Sequence, residues 1–253
     1  MEYLRFEVDG KSKYGVKKNN KIREINQSPF VSDNFALGRK YELEDIKLLA
    51  PCRSSKIVCV GLNYTDHTNE LGMQVPSVPK IFLKPAEAAI GPGEEIVYPA
   101  MANRVDYEAE LAFVVKKSCK DISVAEADDY ILGYCCFNDV TARDLQRADG
   151  QWTRAKSFDS FAPFGPTIVS DVDISNLKIQ LFKNGEKEQD STTAEMIFSP
   201  AELLSFISKI MTLKPGDLIA TGTPPGVGPM KPGDEVEVKI EEIGSLKNQV
   251  VKK

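Results

Sequence analysis

The chain has 253 residues, of which 42% are hydrophobic and 27% are charged, and its formal net charge at pH 7 is -5. This length suffices for one large domain, or for one domain with a small appendage, around a core that needs no disulfide or zinc. The hydrophobic content argues against intrinsic disorder, and the acidic balance argues against a nucleic-acid partner.

Targeting and membrane segments are not evident in the sequence. The opening MEYLRFEVDG lacks the basic start and apolar core of a signal peptide, and no stretch reaches the roughly 18 consecutive apolar residues of a membrane helix. We therefore expect a cytoplasmic protein without a membrane partner. The cysteines are odd in number and include no C-x-x-C pair, which indicates buried, reduced thiols. They are Cys52, Cys59, Cys119, Cys135 and Cys136.

The first fifty residues predict a small β unit. Three short alternating runs, LRFEV, SKYGV and KIREI, are separated by the turn pairs Asp9-Gly10 and Asn19-Asn20. The segment LEDIKLLAP is interpreted as a linker, after which a buried strand begins in KIVCVGLNY. The predicted division is a small N-terminal β domain over residues 1–52 and a main domain over residues 53–253.

Few helices are predicted in the main domain. In SPAELLSFISKIM, Ser199 is placed to cap a helix that begins at Pro200, and Glu202 completes a capping box. Ser123 and Glu126 form the same pair before a shorter helix. The remaining apolar runs resemble strands separated by turns. The pattern predicts an α+β fold that is mainly β.

The segment DYEAELAFVV places acidic side chains on one face of a predicted strand. Alternate side chains point the same way, so Asp106, Glu108 and Glu110 share a face with apolar residues further along. Carboxylates roughly 6.6 Å apart on a partly buried face repel unless they are protonated or share a cation. Oxygen ligands suit Mg²⁺, Mn²⁺ or Ca²⁺. Taken alone, however, E-x-E is more typical of a solvent-exposed strand edge.

A further acidic residue follows the strand YILGYCCF. A predicted helix within NDVTARDLQ would carry Asp139, Arg143 and Gln146 on one face, at positions i, i+4 and i+7. An anion, a cation and an amide would then line a site together. Within this segment alone, a simpler interpretation is an N-cap Asp139 with a surface ion pair to Arg143.

Six motifs, in this order along the chain, resemble those of the fumarylacetoacetate hydrolase family. They are G-L-N-Y-x-x-H-x-x-E (61–70), P-K-I-F-L-K-P (79–85), D-Y-E-A-E-L (106–111), N-D-V-T-A-R-D-L-Q (138–146), A-K-S-F-D (155–159) and T-G-T-P-P-G-V-G (221–228). Several motifs together are far more specific than any one of them. The resemblance implies a mixed β-roll or β-sandwich core with few helices, a catalytic role for the main domain, and a homodimer.

The resemblance also implies roles for individual residues. Three acids would hold one Mg²⁺ or Mn²⁺, with Ca²⁺ as an alternative: Glu108, Glu110 and Asp139. Three residues would carry out the chemistry: His67, Glu70 and Lys156. Three residues would contact the substrate: Arg143, Gln146 and Thr223.

The spacing of His67 and Glu70 also indicates, independently of the resemblance, that they form a pair. They stand three apart in NYTDHTNELG, which can form a helical turn ended by Gly72, so that both side chains lie on one side. A carboxylate beside an imidazole orients the ring and raises its basicity, which suits removal of a proton from water. Without the resemblance, a single histidine in a polar loop is more often a surface residue.

The function implied is metal-dependent hydrolysis of a carbon–carbon bond in an acylpyruvate-like or fumarylacetoacetate-like 2-oxo acid. In this scheme His67 and Glu70 activate water, and the metal and Lys156 stabilise the enolate that leaves. Isomerisation of a 2-hydroxyhepta-2,4-diene-1,7-dioate-like acid and decarboxylation of oxaloacetate are alternatives because both use the same enolate. His67 and Glu70 favour activation of water, so hydrolysis ranks first, isomerisation second and decarboxylation third. A non-catalytic metal-binding or ligand-binding module is a more remote alternative.

Overall fold

The computed structural model describes residues 1–18, 21–32 and 34–252, so the predicted turn Asn19-Asn20 lies outside the described residues. The helices are α1 (Thr65–Leu71), α2 (Arg143–Asp149), α3 (Thr153–Lys156) and α4 (Pro200–Ile210), with 3-10 turns at Leu43–Asp45, Ala86–Ala88, Val124–Tyr130 and Thr193–Glu195. The strands are β1 (Glu2–Val8), β2 (Lys11–Lys18), β3 (Lys21–Ile25), β4 (Leu37–Tyr41), β5 (Lys47–Leu49), β6 (Ile57–Val60), β7 (Ile81–Lys84), β8 (Ala89–Ile90), β9 (Glu95–Val97), β10 (Val105–Tyr107), β11 (Ala109–Val115), β12 (Ile131–Asn138), β13 (Thr141–Ala142), β14 (Ala162–Val169), β15 (Lys178–Lys183), β16 (Glu186–Thr192), β17 (Leu218–Ala220), β18 (Gly228–Met230), β19 (Glu235–Ile240) and β20 (Gly244–Val251).

The strands form three sheets. The large sheet has the order β4-β3-β2-β1-β14-β12-β11-β17-β6-β7, with β5 paired to β1 and β8 paired to β14. A five-stranded sheet has the order β16-β15-β19-β20-β9, and a three-stranded sheet has the order β13-β10-β18. The prediction of an α+β fold that is mainly β is confirmed.

The N-terminal strands are joined to the large sheet by hydrogen bonds. β1 pairs antiparallel with β14, where Tyr3 lies opposite Ile168. The segment interpreted as a linker contains β5, which pairs with β1 through Leu48 opposite Phe6. The segment therefore contributes a strand to the large sheet as well as leading into the main domain. The division into domains at residue 52 stays a prediction.

Both predicted capping boxes are present. Ser199 Oγ accepts a hydrogen bond from the backbone N–H of Glu202, whose carboxylate accepts one from the backbone N–H of Ser199, and helix α4 begins at Pro200 as expected. The corresponding pair of Ser123 and Glu126 opens a 3-10 turn. Each box satisfies backbone donors that have no partner within the helix.

Strand β11 runs through the most buried part of the molecule. Phe113 packs in a cluster with Leu203 of α4, whereas Ala112 and Val114 belong to a second cluster on the opposite face. Leu111 joins the cluster that includes the inner residues of the five-stranded sheet. Because both faces are covered, any polar side chain on β11 is held rigidly and away from water.

Two local predictions were wrong near the acidic residues. DYEAELAFVV is not one strand: the chain leaves the three-stranded sheet after β10, passes through Glu108, and enters the large sheet with β11. The predicted helix does not include Asp139, because the short strand β13 intervenes and helix α2 begins at Arg143. Val105 pairs with Ala142 of β13, so sheet pairing overrides the helical spacing in this segment.

All five cysteines are buried and unpaired, as predicted. The neighbours Cys135 and Cys136 belong to different core clusters, since adjacent side chains of β12 point to opposite faces. Within the part of the chain that the structure describes, no helix is long and apolar enough to cross a membrane.

Candidate active site

Sheet pairing brings the three predicted metal ligands together. β11 and β12 run antiparallel with Ala109 opposite Asn138, so that Glu108 and Asp139 lie side by side at the ends of these strands. The backbone N–H of Asp139 donates to the backbone oxygen of Glu108 at 2.9 Å. One carboxylate oxygen from each of three residues lies within 4.8 Å of the other two, and all three residues are buried. We call this group the carboxylate cluster: Glu108, Glu110 and Asp139.

Two members of the carboxylate cluster are neutralised by buried cations. Lys156 Nζ lies 3.0 Å from Glu108 Oε2 and 2.5 Å from Asp139 Oδ2. Arg143 also donates to Glu108, and Lys84 Nζ lies 2.6 Å from Asp139 Oδ1. Burial alone would raise the pKa of the Glu108 carboxyl, but the charges of Lys156 and Arg143 outweigh burial and lower that pKa. Glu108 is therefore ionised at neutral pH.

Glu110 has a different environment. Its Oε2 accepts a hydrogen bond of 2.9 Å from the backbone N–H of Gly222. Burial raises the pKa of the Glu110 carboxyl well above its usual value, and the negative charges of Asp139 and Glu108 raise it further. A cation shared among the three carboxylates would remove this penalty.

The donors of the carboxylate cluster fit a hard divalent cation. Carboxylate oxygens are the ligands that Mg²⁺ and Mn²⁺ prefer. The thiol of Cys59 lies close enough to the cluster for the charge of Asp139 to affect it. Burial, and then that charge, raise the pKa of the Cys59 thiol well above its usual value and keep the thiol neutral. A neutral thiol is a poor ligand, so the chemistry of the site favours an oxygen-bound metal.

Helix α1 carries His67 and Glu70. The helix ends at Gly72, whose φ of 61° is left-handed, and the predicted helical turn is confirmed. His67 Nδ1 lies 2.8 Å from Glu70 Oε2, and the backbone N–H of Gly226 donates to Glu70 Oε1 at 3.2 Å. Because an ionised carboxylate only accepts hydrogen bonds, Nδ1 donates and the other ring nitrogen, Nε2, is the basic one.

A cavity of about 430 Å³ joins these groups, a volume within the range usual for small-molecule sites. All but one of the predicted site residues line it: His67, Glu108, Glu110, Asp139, Arg143, Gln146, Lys156 and Thr223. The exception is Glu70, which reaches the cavity only through His67.

Arg143 is already engaged by protein groups. Its Nε donates to Asp106 Oδ2 at 2.8 Å, its Nη2 donates to Glu108, and its Nη1 donates to Gln146 Oε1 at 2.6 Å. Gln146 therefore presents its amide nitrogen, a donor, to other groups. Arg143 therefore holds Glu108 and Gln146 in place. Two of its five N–H bonds remain available to a ligand.

The outer part of the cavity is aromatic and basic. The ring of Trp152 packs edge-on against Phe82, with centroids 5.2 Å apart, and a Cβ at Gly61 would lie 2.7 Å from a Trp152 ring atom. Lys80 Nζ lies 5.3 Å from the Trp152 centroid, and Arg147 lines the same cavity. Neither cation forms an ion pair with any residue that the structure describes.

Two residues of the site were missed by the sequence analysis. Lys84 lies within the P-K-I-F-L-K-P motif, which carried no assigned role, and its ammonium is buried against Asp139. Gln189 lies in no motif, yet its side chain bonds to both Ala109 and Thr223. Membership of a motif was a usable signal for Lys84, and no local signal marks Gln189.

Comparisons with known proteins identify the family of this chain. Residues 56–251 match the family described as "Fumarylacetoacetate (FAA) hydrolase C-terminal", and residues 1–51 match "Rv2993c-like, N-terminal". Oxaloacetate tautomerase FAHD2A, mitochondrial, from Bos taurus is 44% identical over 220 residues, which are 82% of this chain and 70% of that protein.

Solved structures extend the similarity across the whole chain. The 2-hydroxyhepta-2,4-diene-1,7-dioate isomerase from Mycobacterium marinum is 46% identical with a TM-score of 0.93, covering 100% of this chain and 99% of that one. The fumarylacetoacetate hydrolase from Exiguobacterium antarcticum is 33% identical with a TM-score of 0.90, covering 100% of both chains.

Proposed function

Because the chain belongs to the fumarylacetoacetate hydrolase family, we propose that it is a metal-dependent enzyme that hydrolyses a carbon–carbon bond in an acylpyruvate-like 2-oxo acid. One observation carries this proposal: His67, oriented by Glu70, lines the same cavity as the carboxylate cluster. A base for water would therefore share one cavity with the site that binds the 2-oxo acid.

Glu108, Glu110 and Asp139 would hold a divalent cation, Mg²⁺ or Mn²⁺, with Ca²⁺ as a further option. When bound, the cation supplies Lewis-acid chemistry that polarises the 2-oxo group and the adjacent carboxylate. Gln146 and Thr223, with the two N–H bonds left to Arg143, would donate hydrogen bonds to substrate oxygens. These contacts would present the distal carbonyl of the substrate to His67.

His67 would act as the general base. Its Nε2 takes a proton from water, and the water oxygen bonds to the distal carbonyl carbon. The bond between that carbon and the adjacent methylene then breaks, and its electron pair becomes the enolate of pyruvate. Return of the proton from the imidazolium to the methylene carbon gives pyruvate and a carboxylic acid, with one water consumed. Glu70 holds the ring and stabilises its charged form.

Lys156 would stabilise the negative charge of the enolate. Its ammonium is buried, contacts Glu108 and Asp139, and lines the cavity. Burial opposes its charged form, but Asp139 and Glu108 outweigh burial and raise the pKa of Lys156, so it stays protonated at neutral pH. A permanent buried cation beside the developing oxyanion needs no reorganisation during the reaction.

A second candidate function is isomerisation or tautomerisation of a dicarboxylic 2-oxo acid. The specific support is the pair of cations at the outer part of the cavity, Lys80 and Arg147, which have no protein carboxylate partner among the described residues. They would bind a second carboxylate at the far end of the substrate. Relatives named for a dioate isomerase and an oxaloacetate tautomerase are consistent with such substrates.

The test of hydrolysis is product analysis in isotopically labelled water. The purified protein with Mn²⁺ is given an acylpyruvate, and pyruvate release and label in the carboxylic acid are measured. Hydrolysis requires one labelled oxygen per acid, whereas enol–keto conversion without cleavage supports the second candidate. Release of pyruvate at an unchanged rate in EDTA would contradict the role of the metal.

The test of the second candidate is a double substitution, Lys80→Gln with Arg147→Gln. We expect the KM for oxaloacetate to rise about tenfold or more, since a charge-assisted contact contributes roughly 1.5–3 kcal/mol. The KM for an acylpyruvate without a second carboxylate serves as the control and should stay within about twofold. Equal changes for both substrates would contradict a distal carboxylate site.

We also propose that the chain is a homodimer, as the family resemblance implies, and that it is cytoplasmic. Light scattering coupled to gel filtration should then report twice the 28.0 kDa of one chain. A mass of one chain at micromolar concentration would contradict the dimer.

A further inference from the structure

The Gln189 side chain connects the five-stranded sheet to two segments of the cavity wall. Gln189 lies on β16 and is 1% exposed. Its Oε1 accepts a hydrogen bond of 2.9 Å from the backbone N–H of Ala109, the residue between Glu108 and Glu110. Its Nε2 donates to Thr223 Oγ1 at 3.0 Å and to the backbone oxygen of Pro224 at 2.9 Å.

These partners allow only one orientation of the amide. The N–H of Ala109 can only donate, so it requires the amide oxygen of Gln189, and the backbone oxygen of Pro224 can only accept, so it requires the amide nitrogen. An amide nitrogen has no lone pair to accept a hydrogen bond. The contact with Thr223 therefore has one direction: Gln189 donates and the Thr223 hydroxyl accepts.

The direction of this bond decides what Thr223 can offer to a ligand. Its hydroxyl oxygen is occupied as an acceptor by Gln189, and the hydroxyl hydrogen donates to no acceptor among the residues that the structure describes. Thr223 is 7% exposed and lines the cavity. A buried hydroxyl donor without a protein partner costs free energy unless a ligand satisfies it.

We propose that Gln189 is a positioning residue that turns the Thr223 hydroxyl into a donor aimed at the substrate. The ligand group it recognises is then a hydrogen-bond acceptor, a carboxylate or keto oxygen of the bound 2-oxo acid. This inference rests on the proposed function, because it takes that acid as the ligand. The five-stranded sheet would then contribute to substrate selection through Gln189, whose side chain does not itself touch the substrate.

Gln189→Glu is the most informative variant, because it preserves the shape of the side chain and reverses the direction of the hydrogen bond to Thr223. One carboxylate oxygen still accepts from Ala109, but the other now accepts from the Thr223 hydroxyl, which turns away from the cavity. The new negative charge also faces the backbone oxygen of Pro224. We expect pyruvate, titrated calorimetrically in the presence of Mn²⁺, to bind at least about tenfold more weakly, because one donor to a charged acceptor is lost.

Two further variants separate positioning from general damage. Thr223→Val removes the hydroxyl, so adding Gln189→Glu to it should weaken pyruvate binding by less than about threefold more if Gln189 acts through Thr223. Asn248→Asp is the matched control, because Asn248 is a buried amide on β20 that donates to the backbone oxygens of Gly91 and Glu94 and does not line the cavity. It should lower thermal stability comparably and leave pyruvate binding unchanged.

The outcomes distinguish this inference from the proposed function. If pyruvate does not bind the unchanged protein with Mn²⁺, the proposed function fails. If pyruvate binds it and Gln189→Glu binds equally well, the positioning role is overturned. Full additivity of Gln189→Glu and Thr223→Val would also overturn it. Should Gln189→Glu fail to fold, Gln189→Met, which leaves the Thr223 hydroxyl free to rotate, must weaken binding for the inference to stand.

Discussion

The carboxylate cluster and the His67–Glu70 pair face one cavity but are built in different ways. Glu110 lies on β11, and Glu108 and Asp139 lie beside the ends of the paired strands β11 and β12. All three are buried, and three basic side chains from other segments contact Glu108 or Asp139: Lys84, Arg143 and Lys156. The histidine pair belongs to one seven-residue helix, and the Glu70 side chain is 43% exposed. One group depends on the whole core, and the other depends on a single helical turn and the loop near Gly226.

We propose that this difference separates cation binding from the choice of reaction. A rigid, buried cluster of hard oxygens is suited to hold a cation in any reaction that passes through an enolate. His67, the proposed base, lies on the short helix α1, and a substitution there would leave that cluster unchanged. The contrast predicts that substitutions in the two groups have separable effects on metal binding, turnover and stability.

The largest effect should follow Asp139→Asn. Removing this charge leaves Lys84 and Lys156 without their shared partner and takes one anionic ligand from the cation. We expect kcat/KM to fall at least about a thousandfold, because metal polarisation contributes several kcal/mol and ~1.4 kcal/mol is a factor of ten. Calorimetry should detect no tight Mn²⁺ binding. Asp149→Asn, which breaks a partly exposed ion pair with Arg154 outside the cavity, is the control.

His67→Ala should reduce hydrolysis about a hundredfold to ten-thousandfold, the usual contribution of a general base. Mn²⁺ affinity should stay within about twofold, because the hydrogen bonds of His67 go to Asp66 and Glu70, outside the carboxylate cluster. Parallel activity assays and Mn²⁺ titrations provide the measurement. A matching loss of Mn²⁺ affinity would show that the His67–Glu70 pair and the carboxylate cluster are coupled, and would contradict separable effects.

Glu70→Gln should have a smaller effect of about tenfold on hydrolysis, since the amide can still accept a hydrogen bond from Nδ1 but lacks the charge that stabilises imidazolium. His67 is the only histidine of the chain, so its ring nitrogens give unambiguous NMR signals. In the unchanged protein these should show Nδ1 protonated. A preference for the Nε2-protonated tautomer would contradict the assigned base.

Glu110→Gln should raise the thermal stability of the metal-free protein while abolishing its stabilisation by Mn²⁺. The Glu110 pKa is raised in the folded state, so the folded protein holds a proton there that the unfolded chain has released, and stability falls as pH rises between the two pKa values. As pH rises above the usual pKa of a glutamate, the melting temperature in EDTA should therefore fall more steeply in the unchanged protein than in the variant. Parallel curves would contradict the raised pKa.

Local sequence determined much of the secondary structure and some of the site. The capping box at Ser199 and the helical turn that pairs His67 with Glu70 both follow from spacing of a few residues. Such features depend on neighbours along the chain, whose relative positions are set by the geometry of a helix or strand.

Predictions from residue spacing were wrong where pairing with a strand distant in the sequence determined the local structure. The helix expected at Asp139 starts later because β13 pairs with β10, and the strand expected through Glu108 breaks because its two halves join different sheets. Neither sheet partner is close in sequence. Local propensity is a weak preference that tertiary pairing overrides.

Only the tertiary structure determined which charged groups and hydrogen-bond donors surround the carboxylates. The sequence, through its ordered motifs, identified Glu108, Glu110 and Asp139 as one group. That Lys84 neutralises Asp139, that Glu110 carries the raised pKa, and that Gln189 reaches Ala109 across eighty positions were not predictable from it. These contacts join segments far apart in the chain, and their energies depend on burial, which arises only when the sheets pack against one another.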